Sequence, residues 1–123
     1  MSQTKAAINV KTIFCDIDGC VLKHQGNTKD IQQKCELLPG VLDTFIGWIR
    51  KGYTVILTTG RKESMRRGTE QQLRSTGISY DLLIMGLPRG QRVVINDIKP
   101  ESKEPTAACV NVERNEGLEN VDI

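Results

Sequence analysis

The sequence predicts an α/β fold, a Rossmann-like three-layer sandwich around a mainly parallel five-stranded sheet. Three observations carry this reading. Short apolar runs rich in β-branched residues alternate along the chain with longer segments of helical periodicity. The apolar runs end in polar or turn-forming residues, and alternating strands and helices imply parallel pairing. The chain has 123 residues, which fits one domain with one core.

The elements follow in order. Lys11–Ile17 (KTIFCDI) is a buried strand, and the polar stretch Lys23–Glu36 is a loop. Pro39-Gly40 opens a helix over Val41–Lys51, with apolar residues at Val41, Leu42, Phe45, Ile46 and Ile49, and Gly52 ends it. Tyr53–Leu57 (YTVIL) is the second strand. Glu63–Ser75 is a polar helix, weakened by Gly68 and closed by Gly77. Leu82–Met85 is a third strand, Gly86–Gln91 a loop, Arg92–Ile95 a fourth strand and Ala107–Val112 a fifth. The domain therefore spans 10–112, flanked by a flexible N-terminus at 1–9 and an acidic tail at 113–123 that closes on the surface or frays.

Composition narrows the function classes. Hydrophobic residues make up 38%, and no apolar run approaches the length of a spanning helix. Met1–Asn9 is polar and lacks a signal peptide's apolar stretch, so a cytoplasmic location is the default and no membrane partner is expected. The 17 basic and 15 acidic residues leave a net charge of +2, which counts against nucleic acid as a partner. Basic residues do cluster locally, in Arg61-Lys62 and Arg66-Arg67, at a scale suited to one phosphate-sized anion. Cys15, Cys20, Cys35 and Cys109 show neither a CxxC pair nor zinc spacing. Cys15 and Cys109 sit in apolar runs, as small buried hydrophobes do.

Three chemically loaded segments fall at the carboxyl ends of predicted parallel strands, where open α/β sheets bind ligands. The first is Asp16-Ile17-Asp18-Gly19. Two carboxylates two residues apart repel unless a cation sits between them. Magnesium suits such a pair, because it takes oxygen ligands and completes its shell with water and phosphate oxygens. Gly19 lets the chain turn sharply and bring backbone N–H groups toward a ligand. Thr58-Thr59-Gly60-Arg61 adds a hydroxyl, a close backbone approach and a bidentate cation. Asn96-Asp97 supplies a further acid that can join Asp16 at a metal. Each segment alone also reads as an ordinary loop, turn or helix cap. It is their convergence on one rim that points to a site.

These segments resemble the haloacid dehalogenase (HAD) superfamily of phosphotransferases. Its first signature corresponds to Ile13-Phe14-Cys15-Asp16-Ile17-Asp18-Gly19, its second to Val55-Ile56-Leu57-Thr58-Thr59-Gly60-Arg61 and its fourth to Val93-Val94-Ile95-Asn96-Asp97. The match covers roughly residues 10–112. The resemblance implies a magnesium-dependent phosphomonoester hydrolase. Asp16 would be the nucleophile that forms an aspartyl-phosphate, and Asp18 the general acid and then base. Asp16, Asp18 (through its backbone carbonyl) and Asp97 would hold the metal. Thr59, with Thr58 as alternative, would bind the phosphoryl group together with Gly60 and Arg61. The sequence departs from the family pattern twice. No Lys lies between Lys62 and Lys99, so Arg92, with Arg89 second, stands for the usual basic residue, and Asn96 replaces an acid.

The intervals between signatures leave no room for a cap domain. The site is then either open to a bulky substrate or covered by another subunit in a homo-oligomer, with the Lys23–Glu36 loop as a flap. His24, the single histidine, lies in that loop and reads as an exposed loop residue. The substrate expected by resemblance to capless relatives is a small phosphorylated metabolite such as a sugar phosphate. A nucleic-acid 3′-end phosphatase is the alternative, from the Thr-Gly-Arg likeness. A non-catalytic scaffold on the same fold, or a receiver-type signalling domain, are the remaining readings.

Overall fold

The computed structural model describes residues 10–24, 35–102 and 104–123. The N-terminus read as flexible, 1–9, and the central part of the loop read as a flap, 25–34, lie outside the described residues. The elements are β1 (Thr12–Asp16), α1 (Val41–Arg50), β2 (Thr54–Thr58), a 3₁₀ turn (Glu63–Met65), α2 (Arg66–Thr76) and β3 (Leu82–Ile84). They match the predicted elements up to Ile84 within a few residues at each end.

The sheet is parallel, in the order β1-β2-β3. Both crossovers step in the same direction. A right-handed connection then puts both helices on the same face of the sheet. Burial agrees. Ile13, Cys15, Val55, Leu57 and Leu83 point into the core with Phe45, Trp48 and Leu73 from the helices. On the other face Phe14 and Leu82 are 60% and 57% exposed. Among the described residues the architecture is therefore two layers with three strands, where the sequence predicts three layers with five.

The missing strands have a physical cause. Returning from β3 to pair in parallel beside β1 takes about a dozen residues or more, and residues 85–91 supply seven. Residues 92–95 accordingly form no strand, and Val93, Val94 and Ile95 are exposed; residues 107–112 form none either. Cys109, expected to be buried, is exposed as well.

Helix α1 buries Val41, Phe45 and Trp48, an i, i+4, i+7 stripe, with the Phe45 and Trp48 ring centroids 4.9 Å apart. The stripe is rotated from the predicted face, so Leu42, Ile46 and Ile49 are left partly exposed. The indole of Trp48 supplies the larger apolar surface and takes the core position.

Of the two fates expected for the tail, the structure shows closure. The Leu118 N–H donates to the Pro39 carbonyl at 2.9 Å, Thr44 Oγ1 donates to the Leu118 carbonyl at 3.4 Å, and Lys51 Nζ donates to the Ile123 carbonyl at 2.8 Å. Leu118 is buried in the core cluster. The close approach depends on Gly117, which has φ +83°; a β-carbon there would collide with the Pro39 carbonyl oxygen and come within 2.9 Å of the Pro39 nitrogen. Gly117→Ala is expected to cost about 2–3 kcal/mol, from the left-handed backbone and the clash together. A urea midpoint that does not move would show that the tail contributes nothing to the fold.

Candidate active site

Asp16 closes β1, and the register sets it directly beside Thr58, the last residue of β2. The chain then turns tightly. The Ile17 N–H donates to the Thr58 carbonyl at 3.1 Å, and the Ile17 carbonyl accepts the Val21 and Leu22 N–H groups at 2.8 and 3.0 Å. Gly19, at φ +93°, makes this turn possible. The loop that follows is closed at its base, where the Lys23 N–H donates to the Glu36 carbonyl and the Leu38 N–H to the Val21 carbonyl.

Asn115 pins the turn from the tail. Its N–H donates to the Gly19 carbonyl at 2.9 Å, its Oδ1 accepts the His24 N–H at 2.7 Å, and its Nδ2 donates to the His24 carbonyl. Asn115 itself takes φ +65°, a conformation that Asn tolerates better than most residues. Its place in the site has no counterpart in the sequence reading, which treats 113–123 as a tail.

The two acids differ in surroundings. Asp16 faces solvent at the strand end, yet partial desolvation, and then repulsion from Asp18, push its carboxyl above the ordinary carboxylate range. The Ile17 backbone N–H and the charges of Arg92 and His24 partly offset this. Asp18 is held by Arg61. Arg61 Nε donates to Asp18 Oδ2 at 3.0 Å and Nη2 to Oδ1 at 2.7 Å, a bidentate pair with side chains 6% and 17% exposed. The remaining nitrogen, Nη1, donates to Thr69 Oγ1 at 3.1 Å and Gln72 Oε1 at 2.6 Å. Arg61, expected on the phosphate, is thus committed to the protein. Arg66 is likewise engaged, with Glu63, Glu70 and the Leu83 carbonyl.

The other expected site residues divide. Thr59 is buried; its hydroxyl accepts the Arg61 N–H at 3.1 Å and its own N–H donates to the Ile84 carbonyl. Thr58, the alternative, stands next to Asp16 on the more open face. Gly60 brings the backbone close, with the Leu87 carbonyl 3.2 Å from where a β-carbon would sit. Arg92 is exposed and donates to the Pro88 and Gly90 carbonyls, within electrostatic reach of Asp16. Asp97 is exposed and paired with Lys99 at 3.0 Å. Among the described residues no three of His, Cys, Asp and Glu come together as a metal-binding group, so Asp97 does not join Asp16 and Asp18.

Burial also pushes the Cys15 and Cys20 thiols up, to about 12 and about 11. Both are protonated at neutral pH and poor nucleophiles. The polar pair Thr69 and Gln72 has no part in the sequence reading, although its spacing carried a signal. Polar residues on the inner face of a helix point to a buried charge opposite.

No family model and no curated protein matches the chain. Solved structures do. A chain of the Pnkp1/Rnl/Hen1 complex is 31% identical over 63% of this chain, with a TM-score of 0.54. A second structure of that assembly, described as an RNA repair complex, gives 27% identity over 76% at a TM-score of 0.55. Over the matched residues the chain shares the fold of these structures. This chain spans only 28% of the length of each of those two chains. A target protein from Vibrio cholerae shares the fold at 19% identity, covering 72% of this chain and 80% of its own, with a TM-score of 0.53. No helix among the described residues is long and apolar enough to cross a membrane.

Proposed function

We propose that the protein is a phosphomonoester hydrolase working through Asp16 and Asp18. The observation that carries this reading is the pairing of two carboxylates in unlike environments at the carboxyl end of β1. One has no cationic partner in hydrogen-bond contact among the described residues; the other is locked to a guanidinium. Asp16 is the more solvent-facing of the two and no guanidinium covers its oxygens, so it is the one free to attack phosphorus.

In the first step an Asp16 oxygen attacks phosphorus and the bond from phosphorus to the leaving oxygen breaks. Asp18, protonated and with one oxygen parted from Arg61, gives the leaving oxygen its proton. In the second step water attacks the aspartyl-phosphate, Asp18 as carboxylate takes the water's proton, and the phosphorus–oxygen bond to Asp16 breaks to release orthophosphate. Thr58, beside Asp16 in register, is better placed than Thr59 to hydrogen-bond a phosphoryl oxygen. Arg92 supplies a positive charge that is felt at Asp16.

The residues fit a magnesium ion in part. Among the described residues Asp16 has no cationic partner in hydrogen-bond contact, and a cation beside it would relieve the repulsion between Asp16 and Asp18. The Asp16 carboxylate and the Asp18 backbone carbonyl would hold it, since both Asp18 side-chain oxygens face Arg61. Magnesium would supply charge neutralisation of the phosphoryl oxygens. Asp97 stands apart in this structure and is not assigned to it.

The likeness to a chain of an RNA repair complex supports a phosphorylated polynucleotide end as substrate over a small sugar phosphate. The test is phosphate release from a 3′-phosphorylated oligonucleotide and from sugar phosphates, with and without chelator. The oligonucleotide is expected to turn over faster, with rates falling as salt rises, and chelator is expected to stop both reactions. Preference for the sugar phosphates would overturn the polynucleotide reading, and activity unchanged by chelator would remove the metal.

A further inference from the structure

We infer that Thr69 and Gln72 are positioning residues for Asp18, acting through Arg61. This rests on the phosphatase reading above and adds to it two residues that touch no reacting atom. The guanidinium presents five N–H donors in one plane. One edge faces Asp18, through Nε at 3.0 Å and Nη2 at 2.7 Å. The opposite nitrogen, Nη1, is fixed by Thr69 Oγ1 at 3.1 Å and Gln72 Oε1 at 2.6 Å. Because the group is rigid and planar, fixing Nη1 fixes the line along which Nε and Nη2 meet the carboxylate.

The other end of Arg61 is anchored too. Its N–H donates to Thr59 Oγ1 at 3.1 Å and its carbonyl accepts the Gly86 N–H at 2.7 Å. The residue is a strut between the strand ends and α2, and Asp18 is what it steadies. Asp18 needs that support, because it sits past the end of β1 on a turn built around Gly19. Proton transfer demands placement within about 0.5 Å and 10–20°.

The composition of α2 points the same way. Thr69 is 0% exposed and Gln72 8%, three residues apart on the inner face beside Leu73. Burying polar side chains there is costly unless every polar atom is bonded. Apolar residues would pack the helix without that cost, but they would leave Nη1 buried with no acceptor and the guanidinium free to tilt.

A general acid matters most when the leaving group is poor, so the leaving group reports on Asp18 placement. The experiment measures kcat/KM on aryl phosphates from dinitrophenyl phosphate, which leaves without a proton, to phenyl phosphate, which needs one. Thr69→Val and Gln72→Met are expected to lose about tenfold or more on phenyl phosphate and less than about twofold on dinitrophenyl phosphate. Thr69→Ser, which keeps the hydroxyl, restores the wild-type ratio. Glu70→Gln, on the same helix but facing Arg66, leaves it unchanged.

Equal losses across the series would show a merely structural role and overturn the inference, as would no loss at all. Should Thr69→Val fail to fold, Gln72→Met decides by the same ratio. Wild-type protein inert toward every aryl phosphate would overturn the phosphatase reading and this inference with it. An active wild type with a flat ratio in the variants overturns only the inference.

Discussion

Asp16→Asn is expected to abolish phosphate release while making the metal-free protein more stable at neutral pH. The loss of activity follows from chemistry, since an amide oxygen does not form the aspartyl-phosphate. Removing a covalent nucleophile from a working constellation costs about 10³-fold or more. The gain in stability follows from the site. Partial desolvation and the Asp18 charge hold the Asp16 carboxyl above its ordinary range, so the gain is small. The folded state therefore keeps this proton to higher pH than the unfolded state does. Below the ordinary carboxylate range both states are protonated and ionisation costs nothing. As pH rises through that range to the raised value, the unfolded state ionises first and the fold loses stability, a loss complete above both values. The amide of the variant never ionises, so urea midpoints of variant and wild type should coincide in acid and diverge toward neutral pH with the variant ahead. A variant that retains full activity would remove Asp16 as nucleophile. A variant less stable at neutral pH would mean that the Asp16 charge is compensated in solution.

Much of this was legible in the residues, and the limits have physical causes. The three strands, both helices and their glycine terminators read directly from periodicity, because local apolar pattern and turn chemistry agree there. Asp16 and Asp18 were legible as a pair because their spacing is local. Val93-Val94-Ile95 reads as a strand by composition, yet pairing is a property of the chain around it. Seven residues after β3 do not make a parallel crossover, and that constraint lies outside the apolar run. Threonine at a strand end was legible, but the choice between Thr58 and Thr59 depends on register, which one strand alone does not show. Arg61 was read as a phosphate ligand because its spacing from Asp18 in sequence hides their contact in space. The tail held the least information: Asn115 reaches the site by long-range bonds to Gly19 and His24.

Arg61→Ala is expected to destabilise the protein by about 3–5 kcal/mol, a cost typical of breaking one partner from a buried pair. The case rests on what is left behind. Asp18 keeps a carboxylate that is 17% exposed with its bidentate donor gone, and Thr69 and Gln72 lose the donor they both face. Asp18 and Thr69 then forfeit hydrogen bonding that water restores only in part at positions this buried. Arg61→Lys separates charge from geometry. An ammonium keeps the positive charge but lacks the fork, so it does not reach both Asp18 oxygens and the α2 acceptors at once. It should recover part of the loss and no more. The measurement is the denaturant midpoint at constant slope, and the double variant Arg61→Ala with Asp18→Asn should lose less than the sum of its parts because the stranded charge is gone. An Arg61→Ala midpoint within about 0.5 kcal/mol of wild type would mean that the pair forms without stabilising the fold. The larger value would explain why an arginine after a strand-end threonine serves here as the brace of an acid. Its charge is spent holding Asp18, and on the proposed reading the phosphoryl group would be met by Thr58 and Arg92.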